Sequence, residues 1–295
     1  MDEASSRFVD RIAVDKLLQD KLSKVHHRQP SHPEEPTTMP ACQSDARSYL
    51  RAYPASRPRA TVLFAHGLFE DQREIYRFLF SGLNRLGYSV ELYCLPYHYE
   101  RKPADSLFSG EFFFSANLHR TRQAFLQAGR ELRACHERLT QEAGHPVFFA
   151  GFSMGATIAL GAALQPGGAQ GVCLLNPPAG LADLIWTSPL CQTIRADLEA
   201  ADLDRAAVAT YFQDIDPLYA YHGSLDKERM LMVQALYDLV TSQRQYDALA
   251  AVWQFPHRLK YNAGHLNTLR VPRLAEDMAR FFDVRMPEGN EACPR

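Results

Sequence analysis

The chain has 295 residues, 46% hydrophobic and 22% charged, with a formal net charge of −2. At about 150 residues per domain the length allows two domains, yet α/β domains often exceed 200 residues as one unit. This balance excludes collagen-like, coiled-coil and wholly disordered chains, and the near-neutral charge argues against nucleic acid as a main partner.

The chain starts MDEASSRFVD, acidic and polar where a secretory leader is basic and then apolar. No uninterrupted apolar run approaches the ~18 residues that a membrane span requires. The six cysteines are scattered without a C-x-x-C pair, so neither a disulfide framework nor a zinc site is expected. Together these features predict a cytoplasmic protein.

Over residues 8–25, Phe8, Val9, Ile12, Leu17, Leu18, Leu22 and Val25 recur at helical spacing, with Ser6 as a candidate N-cap and Asp20–Lys24 as an i,i+4 pair. This helix is expected to pack on the main domain, or to dock on a partner subunit, a second copy included, or on a membrane surface, the last least favoured by its mixed Asp and Lys face. Pro30, Pro33, Pro36 and Pro40 make the following stretch an extended connector, so residues 1–46 form a separate N-terminal portion.

From about residue 47 strands and helices alternate. ATVLFAHG (60–67) reads as a buried strand, FLFSGLNRLG (78–87) as a helix closed by Gly87, and SVELYC (89–94) as a second strand. A long amphipathic helix over 115–139 precedes the strand PVFFAG (146–151), a helix of small residues over 154–164, and the strand GVCLLN (171–176). MLMVQALYD (230–238), a helix near 242–253, HRLKYN (257–262) and a helix over 272–282 complete the series, leaving 286–295 as a tail. Continuous apolar strands interleaved with helices predict an α/β fold with a mostly parallel sheet covered on both faces. Residues 177–229 show helix-like stretches and no strand, and an insertion of this length is expected to fold as a cap or lid.

Gly151-Phe152-Ser153-Met154-Gly155 closes the strand VFFA and opens directly into the helix ATIALGAAL. In such a strand–turn–helix the serine sits on a strained turn that lifts its hydroxyl clear of the sheet. Glycines at 151 and 155 remove side chains that would meet the neighbouring strand and helix. The Met154 N–H, at the helix N-terminus, then faces a carbonyl under attack, where negative charge develops.

With this motif in place the chain resembles the α/β-hydrolase superfamily, in its serine-hydrolase branch, over residues 47–285. The resemblance implies the chain order oxyanion strand, nucleophile, acid, histidine. It makes Ala65-His66-Gly67-Leu68 the family's H-G turn, with the Leu68 N–H as second oxyanion donor and His66 bracing the loop; the H-G-G-G of many lipases is absent. Tyr261-Asn262-Ala263-Gly264-His265 follows the last strand, which marks His265 as the general base for Ser153.

Asp238 ends MLMVQALY at the carboxyl end of a strand, where open α/β sheets bind ligands, and is the candidate acid. Its other reading is the N-cap of the following helix, while Asp247 and Asp226 are poorer candidates. Arg101 and His98, after the second strand, are expected near the mouth of the site and could hold substrate. Glu111-Phe112-Phe113-Phe114 and Ile185-Trp186 are candidate walls of an acyl pocket, and Asp214-Ile215-Asp216-Pro217 reads as a turn and not a metal site.

The expected activity is hydrolysis of a small ester, thioester or amide through an acyl-enzyme, with no cofactor and no metal. Acyl transfer on the same residues, or a non-catalytic binding protein on the same fold, are the alternatives.

Overall fold

A computed structural model describes residues 11–12, 14–16, 18–19, 21, 46–165, 169–220 and 226–287. The expected cap at Ser6, the Asp20–Lys24 pair and the proline connector lie outside the described residues, as does most of the 286–295 tail.

Seven strands form one sheet: β1 (Leu50–Tyr53), β2 (Ala60–Ala65), β3 (Tyr88–Tyr93), β4 (Val147–Phe152), β5 (Val172–Leu175), β6 (Met230–Ala235) and β7 (His257–Tyr261). Their spatial order is β1-β3-β2-β4-β5-β6-β7, and every pairing is parallel except β1 with β3. β2, β4, β5 and β6 are buried at every residue, because helices cover both faces.

Successive side chains of the central strands feed two separate cores, as a pleat with period two requires. Val62, Phe64, Phe148, Ala150 and Phe152 face one side, under α1 (Arg77–Arg85) and the last helix, α8 (Leu274–Asp283). Leu63, Phe149, Leu174 and Met232 face the other, under α2 (Leu118–Ala143) and α3 (Met154–Ala163). The ten residues of α3 are all buried, which explains why it has no polar face.

Among the described residues between β5 and β6 lie three short helices, α4 (Leu181–Thr187), α5 (Gln192–Ala200) and α6 (Arg205–Tyr211). The start of the segment is pinned to its far end. The buried Asp216 carboxylate accepts the N–H of Gly180 at 3.0 Å and those of Leu181 and Leu218, which fixes the start of α4. Asp214 pairs instead with Arg122 of α2. The last helix before β7, α7 (Gln243–Trp253), starts with a capping box between Ser242 and Gln245.

One strand escapes sequence reading. β1, LRAY, is short, half-exposed and antiparallel, and it pairs only at the sheet edge, so no apolar run marks it. Among the described residues no helix is long and apolar enough to cross a membrane.

Candidate active site

Because β2 and β4–β7 run parallel, their carboxyl ends share one edge of the sheet, and the loops leaving them meet there. Ser153 follows β4 with φ 52° and ψ −124°, a conformation that only a surrounding structure can hold. Its N–H donates to the Leu175 carbonyl at 2.8 Å, fastening the turn to β5. The flanking glycines are sterically required. A Cβ on Gly151 would lie 2.3 Å from the Gly155 carbonyl oxygen, and one on Gly155 would lie 2.2 Å from those of Ala65 and His66.

Ser153 Oγ–H donates to His265 Nε2 at 2.9 Å, and His265 Nδ1–H donates to Asp238 Oδ2 at 2.7 Å. The His265 side chain is 3% exposed and that of Asp238 is fully buried, so neither contact competes with bulk water. Asp238 is not the N-cap of α7, since Ser242 takes that place. Its Oδ1 accepts the N–H groups of Val240 and Thr241 at 2.7 and 2.8 Å, and its Oδ2 also accepts Tyr246 O–H at 2.6 Å. Every lone-pair direction that faces the protein is therefore occupied, which holds the carboxylate in one orientation.

Sequence reasoning missed Asn176, the residue after β5. Its side-chain amide donates to the His265 carbonyl at 2.9 Å and to Thr268 Oγ1 at 3.1 Å, while its Oδ1 accepts Ala235 N–H at 3.0 Å. One amide thus ties the His265 loop to the end of β6. The signal available was an asparagine closing a buried strand, where a polar side chain needs partners.

His66 is fully buried, and both ring nitrogens are engaged. Nδ1–H donates to the Gly67 carbonyl at 2.7 Å and Nε2 accepts Leu95 N–H at 3.1 Å. Burial, then the neighbouring His98, push its pKa well below the ordinary range, so the ring is neutral and braces the loop. Among the described residues neither Leu68 N–H nor Met154 N–H donates to a protein acceptor, and both residues line the same cavity as Ser153 and His265.

That cavity has a volume of about 610 Å³. Its walls are mainly apolar, from Leu68, Phe69 and Phe152 on the body to Leu184 and Leu190 on the inserted segment. Val14 and Lys16 of the N-terminal helical residues also line it, and Lys21 pairs with Asp71 and lies over the Phe108 ring. Val14 and Lys21 therefore pack on the body of this chain.

Three expected substrate contacts do not line the cavity. Arg101 turns inward to form a two-pronged pair with Glu131 of α2 at 2.7 and 3.0 Å, and also donates to the Cys94 carbonyl. This partner sits 30 residues away in sequence, and pairing leaves no guanidinium edge for substrate. His98 is fully buried with its Nδ1–H on the Pro96 carbonyl, and burial pushes its pKa down to about 3. Trp186 packs half-buried against the core, since the turn of α4 gives the cavity wall to Leu184. Phe112, Phe113 and Phe114 are core residues as well, with Phe113 stacked on Phe125 at 5.1 Å.

Glu70 is a second residue that sequence reasoning missed. Its carboxyl is buried beside the cavity, 3.7 Å from the neutral His66 ring; desolvation raises its pKa to about 7, against the opposing pull of Tyr76, Tyr99, Gly67 and His265. Between pH 4.5 and 7 the folded chain keeps a proton that the unfolded chain has released. Stability therefore falls as pH rises through this window, by about 3 kcal/mol from this one group. Urea unfolding at pH 5 and pH 8 should show that loss in the wild type and a smaller one in Glu70→Gln; equal losses would refute the assignment.

A parallel sheet with one antiparallel edge strand, a strained strand–serine–helix turn and a histidine after the last strand define the α/β-hydrolase class. The family model described as "Alpha/beta hydrolase family" matches residues 62–286, and the chain belongs to this family. Among solved structures it is similar to the TT1662 protein of Thermus thermophilus, at TM-score 0.56 and 20% identity, covering 83% of this chain and 94% of that one. It is similar to a soluble variant of monoglyceride lipase from Saccharomyces cerevisiae, at TM-score 0.56 and 15% identity, covering 88% and 99%. The Pyrococcus furiosus esterase Pf2001 gives TM-score 0.52 and 17% identity over 78% and 85%. No curated protein matches this chain in sequence.

Proposed function

We propose that this chain is a serine hydrolase acting on carboxylic esters through an acyl-enzyme. The observation that carries the reading is the unbroken line of hydrogen bonds from Ser153 Oγ through His265 to Asp238, at 2.9 and 2.7 Å. Membership of the alpha/beta hydrolase family supports the same chemistry.

In this reading His265 Nε2 takes the Ser153 proton as Oγ attacks the acyl carbon, and the imidazolium that forms is stabilised by Asp238. The N–H groups of Met154 and Leu68 receive the oxyanion. His265 then delivers the proton to the leaving alkoxide, and water activated by the same nitrogen releases the acid. The mainly apolar cavity suits an apolar acyl group, and Pro178, Leu184, Ser188, Leu190 and Cys191, from the described part of the 177–229 insertion, form the lid that completes its wall.

The deciding experiment is labelling with a fluorophosphonate probe followed by peptide mapping. The expected adduct is on Ser153, with loss of 4-nitrophenyl butyrate hydrolysis in step with labelling. Full labelling at another residue, or none at all, overturns the reading.

A further inference from the structure

We propose that Glu70 is a positioning residue for the oxyanion donor of the Gly67–Leu68 turn, and that the turn is held in its working shape by the ionised carboxylate. The proposal rests on the hydrolase reading above and adds a residue to it that does not touch the reacting atoms.

The geometry is that of a carboxylate built into the loop. Glu70 Oε1 accepts Gly67 N–H at 3.2 Å and Tyr76 O–H at 2.5 Å, and Oε2 accepts Tyr99 O–H at 3.1 Å. Tyr76 Oη itself accepts the same Gly67 N–H at 2.9 Å, so tyrosine and carboxylate close a ring around one backbone donor. Gly67 is shaped to this partner. A Cβ there would stand 2.6 Å from Glu70 Oε1 and 3.0 Å from the Phe152 ring. The turn also passes through Phe69 at φ 61°, a left-handed conformation that must be held by contacts of this kind.

Three donors converge on two oxygens, and that count favours the ionised form against the larger cost of burial. A carboxylate accepts all three, and its hydrogen bonds are roughly twice as strong as those of a neutral acceptor. A carboxylic acid must itself donate, which turns one of the three contacts around and weakens the grip on Gly67 N–H. The next N–H in the chain is that of Leu68, so a loosened Gly67 misaims the donor that would meet the oxyanion.

The groups facing Glu70 set when this happens. From its own loop come Asp71, Arg73 and Tyr76, with Asp71 paired to Lys21 of the N-terminal helix and Arg73 stacked over Tyr99 at 4.1 Å. From the turn after β2 comes the neutral His66, 3.7 Å from Oε2, and from the loop after β3 comes Tyr99, with the neutral His98 behind the His66 ring. From the loop after β7 comes His265, backed by Asp238. Arg73 is directed to Glu100 and not to Glu70, so burial outweighs the surrounding charges and the carboxyl titrates near neutrality.

The test is the pH dependence of kcat/KM for 4-nitrophenyl butyrate between pH 5.5 and 9. In the wild type both His265 and Glu70 must lose a proton, so the acid limb of the logarithmic plot approaches a slope of 2. In Glu70→Gln the slope falls to 1, kcat at pH 8.5 drops at least tenfold, and KM stays within twofold. Tyr99→Phe removes one donor from the carboxylate and moves the higher ionisation of the limb up by half a pH unit or more. This second variant decides the matter if Glu70→Gln does not fold.

A wild-type slope of 1 with unchanged kcat in Glu70→Gln overturns the role of Glu70 while leaving the hydrolase reading intact. Absence of both ester hydrolysis and fluorophosphonate labelling in the wild type overturns the two together.

Discussion

Substituting Ser153 by Ala is expected to lower kcat for an ester by about a millionfold, Asp238→Asn by about ten-thousandfold, and the double variant no further than Ser153→Ala alone. The double variant is the informative one. If the residues act as a unit, losing the nucleophile leaves nothing for the acid to assist. Two independent contributions would instead multiply. In Asp238→Asn the amide keeps one oxygen for the N–H groups of Val240 and Thr241, so the loop survives. The NH2 then faces His265 Nδ1 and must donate to it. This forces the ring into the tautomer with hydrogen on Nε2, which points a donor at Ser153 and cannot take its proton. KM should change little, because the cavity walls are untouched. Steady-state kinetics of the three variants, with circular dichroism to confirm folding, check this. A loss under tenfold in Asp238→Asn would reduce the carboxylate to a loop pin.

The parts of the candidate site that were legible in the sequence are those with local signatures. Ser153 announces itself because the glycines around it, the strand before it and the helix after it are contiguous. Asp238 and His265 follow from order and from strand ends, and the structure brings both within hydrogen-bonding reach of one another. The central strands β2, β4, β5 and β6 were readable for the same reason, since burial on both faces leaves uninterrupted apolar runs. What stayed hidden depends on partners far away in sequence. Nothing near Arg101 says that Glu131 will neutralise it, nor does anything near Asn176 point to the carbonyl of His265, 89 residues on. Glu70 lies four residues after His66, yet its meaning comes from two tyrosines that the fold folds over it. Long-range pairing turns a charged loop residue into a structural one, or a structural one into part of the site. Composition and periodicity carry no trace of it.

Gly155→Ala is the second substitution with a large expected effect, and it acts through packing alone. The added methyl would lie 2.2 Å from the carbonyl oxygens of Ala65 and His66, both at the carboxyl end of β2. β2 is clamped between β3 and β4, and α3 begins at Met154, so backbone meets backbone with no side chain to rotate away. Overpacking in a core costs typically 1–3 kcal/mol where rotamers can adjust. Here the helix must withdraw, and we expect at least about 3 kcal/mol, or a fall in Tm of roughly 6–12 °C for a domain of this size. Withdrawal also carries Ser153 and the Met154 N–H away from His265, so activity should fall with stability. Gly129→Ala in α2 is the matched control. A Cβ there meets nothing within 4 Å, and the helix interior gains about 0.5–1 kcal/mol from the same substitution. Opposite shifts in Tm for one methyl group, at two helical glycines of the same chain, would tie the requirement for glycine at 155 to the close approach of α3 and β2. A Gly155→Ala protein melting within 2 °C of wild type would show that the elbow tolerates the methyl and that the contact is not binding.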